Sequence, residues 1–469
     1  MKHKKGIAFP PLWMRWTFAP QRFELLIFTL CIILGAFIRA YRFGEIPLGL
    51  NQDEISAGYD AYSVFRYGID RSGLRYPMAF IAWGSGMNVA GPYFSIPFIA
   101  FLGLNTLAVR LPYLLAGIVS LWIFFALMRE LCGKRVALIA LFLLATNPWH
   151  IMASRWGLEA NFFPPVFLSA VFFLVMSRRQ PWLLIVSSLF FSFSLYAYGT
   201  SYVTVPVFLF LYALWAWRKH LHPLTWTLSA FSLFAALFIP VVLFVMVNMF
   251  HWQTFATSFF TIPRMTGISR LETAINKDLF SFNFFTEILA RLRNVFQVLI
   301  LGTDGHNFNA LPDFGVFYVW VLPFVFFGMA WMMIRLHSHR DDHCRILWFW
   351  LVAALTMAML INNLNINRAN IFFLSPHRVR CNRHLLGRKT HEGVGPDSRR
   401  RTALLFFVQS CLLHKCPEFP EWARCRRRIR SKTDIWSDLR DEQWQYAIYL
   451  CALWYRISYA KILEYREVR

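Results

Sequence analysis

The chain has 469 residues, of which 57% are hydrophobic and 18% aromatic, and its mean hydropathy is +0.44. Soluble domains average about 45–50% apolar residues, so this composition excludes an ordinary soluble protein and favours a membrane protein. The net charge of +23 does not by itself indicate a nucleic-acid partner. Basic residues in a membrane protein hold cytoplasmic loops in place and contact anionic membrane lipids.

Long apolar segments predict the fold class: an all-α integral membrane protein, a polytopic helical bundle of about nine spans plus a truncated tenth. The spans are predicted at residues 23–43, 109–128, 136–152, 161–177, 181–198, 202–217, 224–250, 314–334 and 346–361. The basic segment 1–22 is expected to be cytoplasmic and uncleaved. The short basic loops 129–135, 178–179 and 218–219 then also fall inside, which predicts a multi-pass protein of the inner (plasma) membrane.

Two long segments, 44–108 and 251–313, are predicted to be external. The first contains a weaker apolar stretch, 90–104, which is broken by glycine and proline. This stretch is too short and too interrupted for a span, so we expect external interfacial helices there.

The chain changes character near residue 375. Residues 365–374 read as a loop entering a tenth span, but charges and cysteines follow instead of apolar residues. We interpret the basic tail 375–469 as out of frame or disordered, and we expect it to impair the protein. The alternatives are a basic domain that binds anionic lipid or nucleic acid, and a zinc site built from Cys411, His414, Cys416 and Cys425.

The first chemical candidate is the acidic pair Asp53 and Glu54, which follows the first span within Asn51-Gln52-Asp53-Glu54. Carboxylates beside hydrocarbon are costly unless they face water or a polar cavity. Either residue is therefore a candidate general base, and a solvated loop with ordinary charges is the plain alternative.

A second group lies between the third and fourth predicted spans, where His150, Arg155 and Glu159 occur within ten residues. Arg155 and Glu159 are four residues apart and would share one face of a helix. They form either a local ion pair, or a cation for a phosphate beside a second carboxylate.

Three further residues are external in the predicted topology: Tyr198, Arg264 and Arg368. Tyrosine suits the headgroup layer of a membrane, and its ring can also stack on a sugar. The planar guanidinium of arginine matches the oxygens of a phosphate, so Arg264 and Arg368 are candidates for lipid-phosphate contacts.

These motifs together resemble a known family. The quoted segment around Asp53, then Gly58-Tyr59-Asp60-Ala61-Tyr62, Val109-Arg110-Leu111-Pro112 and Asn147-Pro148, are similar to those of bacterial polytopic glycosyltransferases with the GT-C fold. That family is related to protein O-mannosyltransferases and lipid A aminoarabinose transferases. The resemblance covers roughly residues 20–374 and not the tail.

The resemblance implies a hexosyl or pentosyl transferase of the cell envelope that uses a polyprenyl-phosphate sugar donor on the outer face of the membrane. The acceptor would be a lipid, a glycan or a protein, and membrane lipids are the other expected partner. Asp53 matches the position of the base, while Arg155 and Glu159 map onto the rest of the site. No cofactor follows for certain, although a divalent metal is an option. A polytopic transporter or lipid flippase is the rival class, and a structural membrane subunit is the third.

Overall fold

The structure is a computed structural model that describes residues 22–83, 86–267, 284–302, 304, 309, 315–318, 321–337, 342–361 and 364–373. All of them lie in one compact unit, Met1–Asn382. The predictions for the tail, 375–469, and for the basic segment before residue 22 concern residues outside the described part of the chain. The same holds for much of the second predicted external segment.

Helices make up most of the described chain. The α-helices are α1 (Arg22–Ala40), α2 (Gln52–Tyr67), α3 (Ala90–Leu102), α4 (Thr106–Cys132), α5 (Lys134–Ala145), α6 (Pro148–Ala153), α7 (Glu159–Ser177), α8 (Leu183–Leu195), α9 (Ser201–Lys219), α10 (Leu224–Met249), α11 (Phe284–Phe296), α12 (Leu322–His337), α13 (Asp342–Leu360) and α14 (Asn370–Phe373). A π-helical turn, Gln297–Leu301, continues α11. Two antiparallel hairpins pair β1 (Ala79–Phe80) with β2 (Met87–Asn88), and β3 (Phe255–Ala256) with β4 (Thr261–Ile262).

The helices follow the apolar segments of the sequence. Within the described residues, α1, α4, α7 and α10 are long and apolar enough to cross a membrane, and shorter apolar helices occupy the regions of α3, α8 and α13. The chain is therefore a multi-pass membrane protein. The number of nine spans and the direction of insertion stay predictions, as does the interfacial position of α3.

One predicted span is divided in the structure. Residues 136–152 form α5 and α6, which are separated at Asn147 and Pro148. The side chain of Asn147 accepts a hydrogen bond from the backbone of His150 at 2.8 Å, and Pro148 occupies the first position of α6. A side-chain cap followed by proline starts a new helix, because proline cannot continue the hydrogen-bond pattern of the preceding one.

The core of the bundle is built around α7, which packs against α4 and α8. Its Phe167 ring meets the rings of Phe191, Phe208 and Trp350 edge to face, with centroids 5.5, 5.3 and 5.0 Å apart. Lipid tails are as apolar as these side chains, so excluding water does not drive helix association within a bilayer. Close van der Waals packing and ring geometry stabilise this core instead.

Contacts between loops define two ends of the bundle. At one end, the Met78 backbone N–H donates to the Thr261 carbonyl oxygen at 2.9 Å, which joins the two segments predicted to be external. At another place, Arg179 pairs with Glu130 at 2.5 Å, which joins two loops predicted to be cytoplasmic. Each contact joins two loops that the sequence predicts to lie on the same side, and the sides themselves stay predictions.

Candidate active site

The helix that carries the acidic pair begins with a capping box. The Asn51 side chain accepts from the Glu54 backbone N–H at 2.8 Å, and the Glu54 carboxylate accepts from the Asn51 backbone N–H at 3.1 Å. The two bonds satisfy backbone donors that the first turn would otherwise leave unpaired. This local geometry fixes the start of α2 and sends the neighbouring carboxylates of Asp53 and Glu54 into different surroundings.

Glu54 lies in a fully buried ion pair. The Arg110 guanidinium on α4 donates to both of its carboxylate oxygens, at 2.7 and 2.8 Å, and neither side chain is exposed to solvent. The Gly157 backbone N–H donates to Glu54 at 2.8 Å. A Cβ at position 157 would lie 3.1 Å from a Glu54 oxygen, so the close approach favours glycine. Glu54 thus ties α2 to α4 and to the loop before α7.

Arg110 also holds the chain that leads into α2. It donates to the carbonyl oxygens of Pro47 and Gly49, at 2.9 and 2.5 Å. The sequence pattern includes Arg110 among its motifs but assigns it no role. Its partners come from 56 to 63 residues earlier in the chain, so no local spacing reveals them.

Asp53 has different surroundings from those of Glu54. It is half-buried, and its Oδ1 accepts a hydrogen bond from the Trp83 indole N–H at 3.0 Å. Asp53 lines a pocket of about 320 Å³. The pocket therefore receives one carboxylate of the acidic pair, while the other is engaged within the protein.

This pocket collects polar groups from distant parts of the chain. Those named from the sequence as candidates are Asp53, Glu159, Tyr198 and Arg368. Those not named from the sequence as candidates include Asn88, Thr200, Asn365 and Asn367, and Tyr202 belongs to the same outer turn as Tyr198. Carboxylate, guanidinium, amide and phenol groups thus face one cavity.

Glu159 and Asn88 connect two walls of the pocket. Glu159, at the start of α7, accepts from the Asn88 backbone N–H at 2.5 Å. The Asn88 side-chain amide donates to the carbonyl of Leu195 and contacts the Tyr202 hydroxyl, each at 3.2 Å. Asn88 therefore links the β1–β2 hairpin to α7, α8 and α9, a role that sequence spacing does not indicate.

Arg368 reaches the pocket on a loop that is anchored elsewhere in the bundle. Its backbone N–H donates to the Asn365 side chain at 2.8 Å. Two residues further on, the Asn370 side chain donates to the Ala160 carbonyl at 3.1 Å and accepts from the Trp149 indole at 2.8 Å. These bonds hold the loop against the start of α7, beside Glu159.

The structure places Arg155 outside the lining of this pocket. Its guanidinium donates to the carbonyl oxygens of Ile38 and Arg39, at 3.0 and 2.9 Å, and of Arg42 and Ile46, at 3.2 and 3.0 Å. These carbonyls belong to the end of α1 and the chain that follows it. Arg155 therefore fastens α1 to the loop before α7, and its described partners differ from the Glu159 partner that the spacing suggests.

His150 likewise lies inside the bundle. Its Nδ1 is 2.5 Å from the Arg39 guanidinium and its Nε2 is 2.9 Å from the Ser120 hydroxyl. The ring is buried among α1, α4 and α6. The remaining candidate, Arg264, is exposed, and its backbone N–H donates to the Thr254 side chain at 3.1 Å. The functional assignments of all these residues stay predictions.

Metal binding has a narrow basis in the described chain. Asp53 and Glu159 line one pocket, and carboxylate oxygens are the ligands that Mg²⁺ and Mn²⁺ prefer. Among the described residues, no group of three or more His, Cys, Asp or Glu could hold a metal ion. Two carboxylates with water or substrate oxygens are what the pocket offers to such an ion.

Comparisons with known proteins agree with this architecture. The oligosaccharyltransferase AglB of the archaeon Archaeoglobus fulgidus, in complex with an inhibitory peptide and a dolichol-phosphate, is similar in fold, with a TM-score of 0.50 and 14% identity over 86% of this chain and 55% of that one. ArnT of Cupriavidus metallidurans in the apo state has a TM-score of 0.47 and 13% identity over 83% of this chain and 64% of its own. The same protein bound to undecaprenyl phosphate has a TM-score of 0.48 and 12% identity over 76% of this chain and 59% of that one.

The chain thus has the fold of the polytopic GT-C membrane glycosyltransferases, and the resemblance inferred from its motifs is confirmed. More particularly, the family model of dolichyl-phosphate-mannose-protein mannosyltransferases matches residues 89–244. That segment contains Glu159 and Tyr198 but not Asp53 or Arg368. The chain spans between 55% and 64% of the length of these three structures. No curated protein sequence matches it.

Proposed function

We propose that this protein transfers a sugar from a polyprenyl-phosphate donor to a lipid, glycan or protein acceptor, on the outer face of the inner (plasma) membrane. Asp53 acts as the general base, and the configuration at the anomeric carbon is inverted. The observation that carries the proposal is the shared pocket, which Asp53 lines together with Arg368, Glu159 and Tyr198.

The proposed reaction is a single displacement. Asp53 accepts the proton of an acceptor hydroxyl as the hydroxyl oxygen attacks the anomeric carbon of the donor sugar. The bond between that carbon and the phosphate oxygen breaks, and the polyprenyl phosphate leaves with the bonding electrons. Attack opposite the leaving group inverts the configuration. One base is sufficient, because the phosphate is a leaving group already present in the donor.

Arg368 is the proposed partner of the leaving phosphate. Its guanidinium can donate two parallel hydrogen bonds to phosphate oxygens, and these strengthen as charge develops on them. We favour Arg368 over Arg155 for this role, because Arg368 lines the pocket together with Asp53 and Arg155 does not. The sugar would lie between these groups, beside Tyr198, Asn88 and Asn367, which line the same pocket.

Glu54 has a positioning role in this proposal. Its carboxylate is bonded to Arg110 and Gly157, which leaves it unsuited to accept a proton from a substrate. The ion pair fixes the first turn of α2 and thereby holds Asp53 in the pocket. The sequence allows Glu54 to substitute as base, and the proposal assigns the base to Asp53 alone.

The experiment uses the full chain reconstituted in lipid nanodiscs. It is supplied with polyprenyl-phosphate sugars and with lipid, glycan and peptide acceptors, and release of polyprenyl phosphate is measured with the anomeric configuration of the product. We expect release that depends on acceptor and an inverted product. Chelation with EDTA reports whether a divalent metal is needed. A protein that moves the intact lipid-linked donor between leaflets without breaking its glycosyl bond would instead support the rival transporter class.

A further inference from the structure

A second region of the bundle has the properties of a lipid-binding site. An apolar pocket of about 520 Å³ lies between α8, α9 and α10. Leu184, Phe191, Leu209, Phe231 and Phe234 are among its lining residues. It is separate from the proposed transfer site, because the two pockets have no lining residue in common.

Nitrogen donors close one end of this pocket. His220 and His222, in the loop between α9 and α10, line it together with Tyr212. The Tyr212 hydroxyl lies 2.7 Å from the His222 Nε2. Burial, together with the nearby charge of Arg178, lowers the pKa of His222 to about 4, so the ring is neutral near pH 7. If the Tyr212 hydroxyl donates to Nε2, the single ring proton lies on Nδ1.

Two buried nitrogens in this region have unused hydrogen-bonding capacity. Across the residues that the structure describes, neither His222 Nδ1 nor the Trp215 indole Nε1 has a hydrogen-bond partner. A buried donor without a partner costs free energy and calls for an explanation such as a bound group. His222 lines the pocket, whereas the Trp215 ring packs against Tyr212, one of the lining residues, with the ring centroids 5.7 Å apart.

Positive charge gathers at the same end. The Arg178 guanidinium lies 5.3 Å from the centre of the Trp215 ring, and that of Arg345 lies 6.0 Å from it. Arg218 and Lys219 are exposed at the end of α9. Arg179, the neighbour of Arg178 in the chain, differs from it because Arg179 is paired with Glu130 at 2.5 Å. Apolar side chains thus line most of the pocket, and basic residues lie near its His222 end, where the charge of Arg178 acts on the His222 ring.

We propose that this pocket binds one phospholipid with an anionic headgroup. An acyl chain occupies the apolar space between α8, α9 and α10, and the phosphate accepts a hydrogen bond from His222 beside Arg178. A basic pocket between membrane helices, on the side where basic loops collect, matches the anionic lipids of the cytoplasmic leaflet. Trp217, 74% exposed beside the pocket, suits the headgroup layer. The proposal depends on insertion in a membrane and not on glycosyl transfer.

The chain offers its own control for the apolar part of the argument. A second apolar pocket, of about 540 Å³, lies between α3, α4, α7 and α8. Its lining includes Phe94, Ala116 and Phe190, but no histidine, lysine or arginine is among the residues that line it. If apolar volume alone retained lipids, both pockets would bind them equally well, and the headgroup of the lipid would not affect binding.

The test measures binding of phosphatidylglycerol to the delipidated full chain in detergent by native mass spectrometry, with phosphatidylcholine and undecaprenyl phosphate as comparison lipids. We expect phosphatidylglycerol to bind more tightly than phosphatidylcholine. Arg178→Gln should weaken it by at least about fivefold, the effect of one basic residue at an anionic surface. Arg179→Gln, which removes the same charge from a paired neighbour, should leave binding within about twofold of the original protein.

Filling the pocket gives an independent readout. Ala213→Phe, inside the proposed site, should abolish the preference for phosphatidylglycerol, whereas Ala116→Phe in the control pocket should preserve it. The unfolding midpoint without lipid shows whether each variant is folded. If Ala213→Phe does not fold, the comparison of Arg178→Gln with Arg179→Gln decides the proposal. Equal binding of phosphatidylcholine, equal losses in the two arginine variants, or displacement of phosphatidylglycerol by an equal amount of undecaprenyl phosphate would each overturn the proposal.

Discussion

The buried pair of Glu54 and Arg110 allows a quantitative prediction. Removing one partner of a buried ion pair leaves the other charge uncompensated and typically costs about 3–5 kcal/mol. Both side chains here have no solvent exposure, so water does not screen the remaining charge. We therefore expect Glu54→Gln, which keeps the side-chain shape, to lower the free energy of unfolding by about 3 kcal/mol or more.

The double variant provides the stricter part of this prediction. Arg110→Met alone leaves the Glu54 carboxylate unpaired and also frees the carbonyls of Pro47 and Gly49, at about 1 kcal/mol each. Combining Glu54→Gln with Arg110→Met removes both charges, so the double variant should be more stable than the sum of the single losses predicts by at least about 2 kcal/mol.

This coupling energy is measured by SDS titration in mixed micelles, which unfolds the original protein, the two single variants and the double variant. Glu45→Gln is a matched control, since Glu45 pairs with Arg42 on the surface and its side chain is 64% exposed. That change should alter stability by less than about 1 kcal/mol. Strictly additive losses in the Glu54 and Arg110 variants would refute the buried pair as the group that fastens the start of α2.

Three further predictions concern other parts of the chain. Burial raises the pKa of Asp60 from 3.8 to about 6, so between these pH values the folded protein holds a proton that the unfolded chain has lost. The free energy of unfolding should therefore fall by up to roughly 3 kcal/mol as pH rises from 4 to 6. Unfolding midpoints should show this trend in the native protein and not in Asp60→Asn. Arg368→Gln should reduce transfer by about 10–100-fold, the value of a charge-assisted hydrogen bond, while Arg264→Gln, exposed and outside the pocket lining, should change it less than threefold. Reporter fusions should place residue 135 in the cytoplasm and residue 60 outside, and the reverse result at either position would contradict the topology.

The sequence was sufficient for the general architecture because apolar length and basic loops determine how a chain sits in a membrane. It predicted helices over most of the segments that form α1, α4, α7 and α10. It did not predict the division at Asn147, where a local cap and a proline outweigh a continuous apolar pattern. The apolar pattern of a membrane protein therefore predicts where a helix lies more reliably than whether that helix is continuous.

The candidate site was predictable in part. Asp53, Glu159, Tyr198 and Arg368 were each chosen by residue type and predicted side of the membrane, and the structure brings them to one pocket. Arg155 was chosen on the same grounds but lies among backbone carbonyls. A spacing of four residues indicates a neighbour on a helix, whereas these carbonyls are more than 100 residues away in sequence. Asn88 was missed because a single amide carries no charge or periodic signal.

The central claim is that Asp53 removes the proton of the acceptor during glycosyl transfer. Its most direct test compares the original protein with Asp53→Asn in one experiment, measuring binding of the polyprenyl-phosphate sugar and the single-turnover rate of transfer at saturating donor. The account predicts donor binding within about threefold of the original and a transfer rate lower by ~10²–10⁴, as expected when a general base is lost. A transfer rate in Asp53→Asn close to that of the original protein would contradict it.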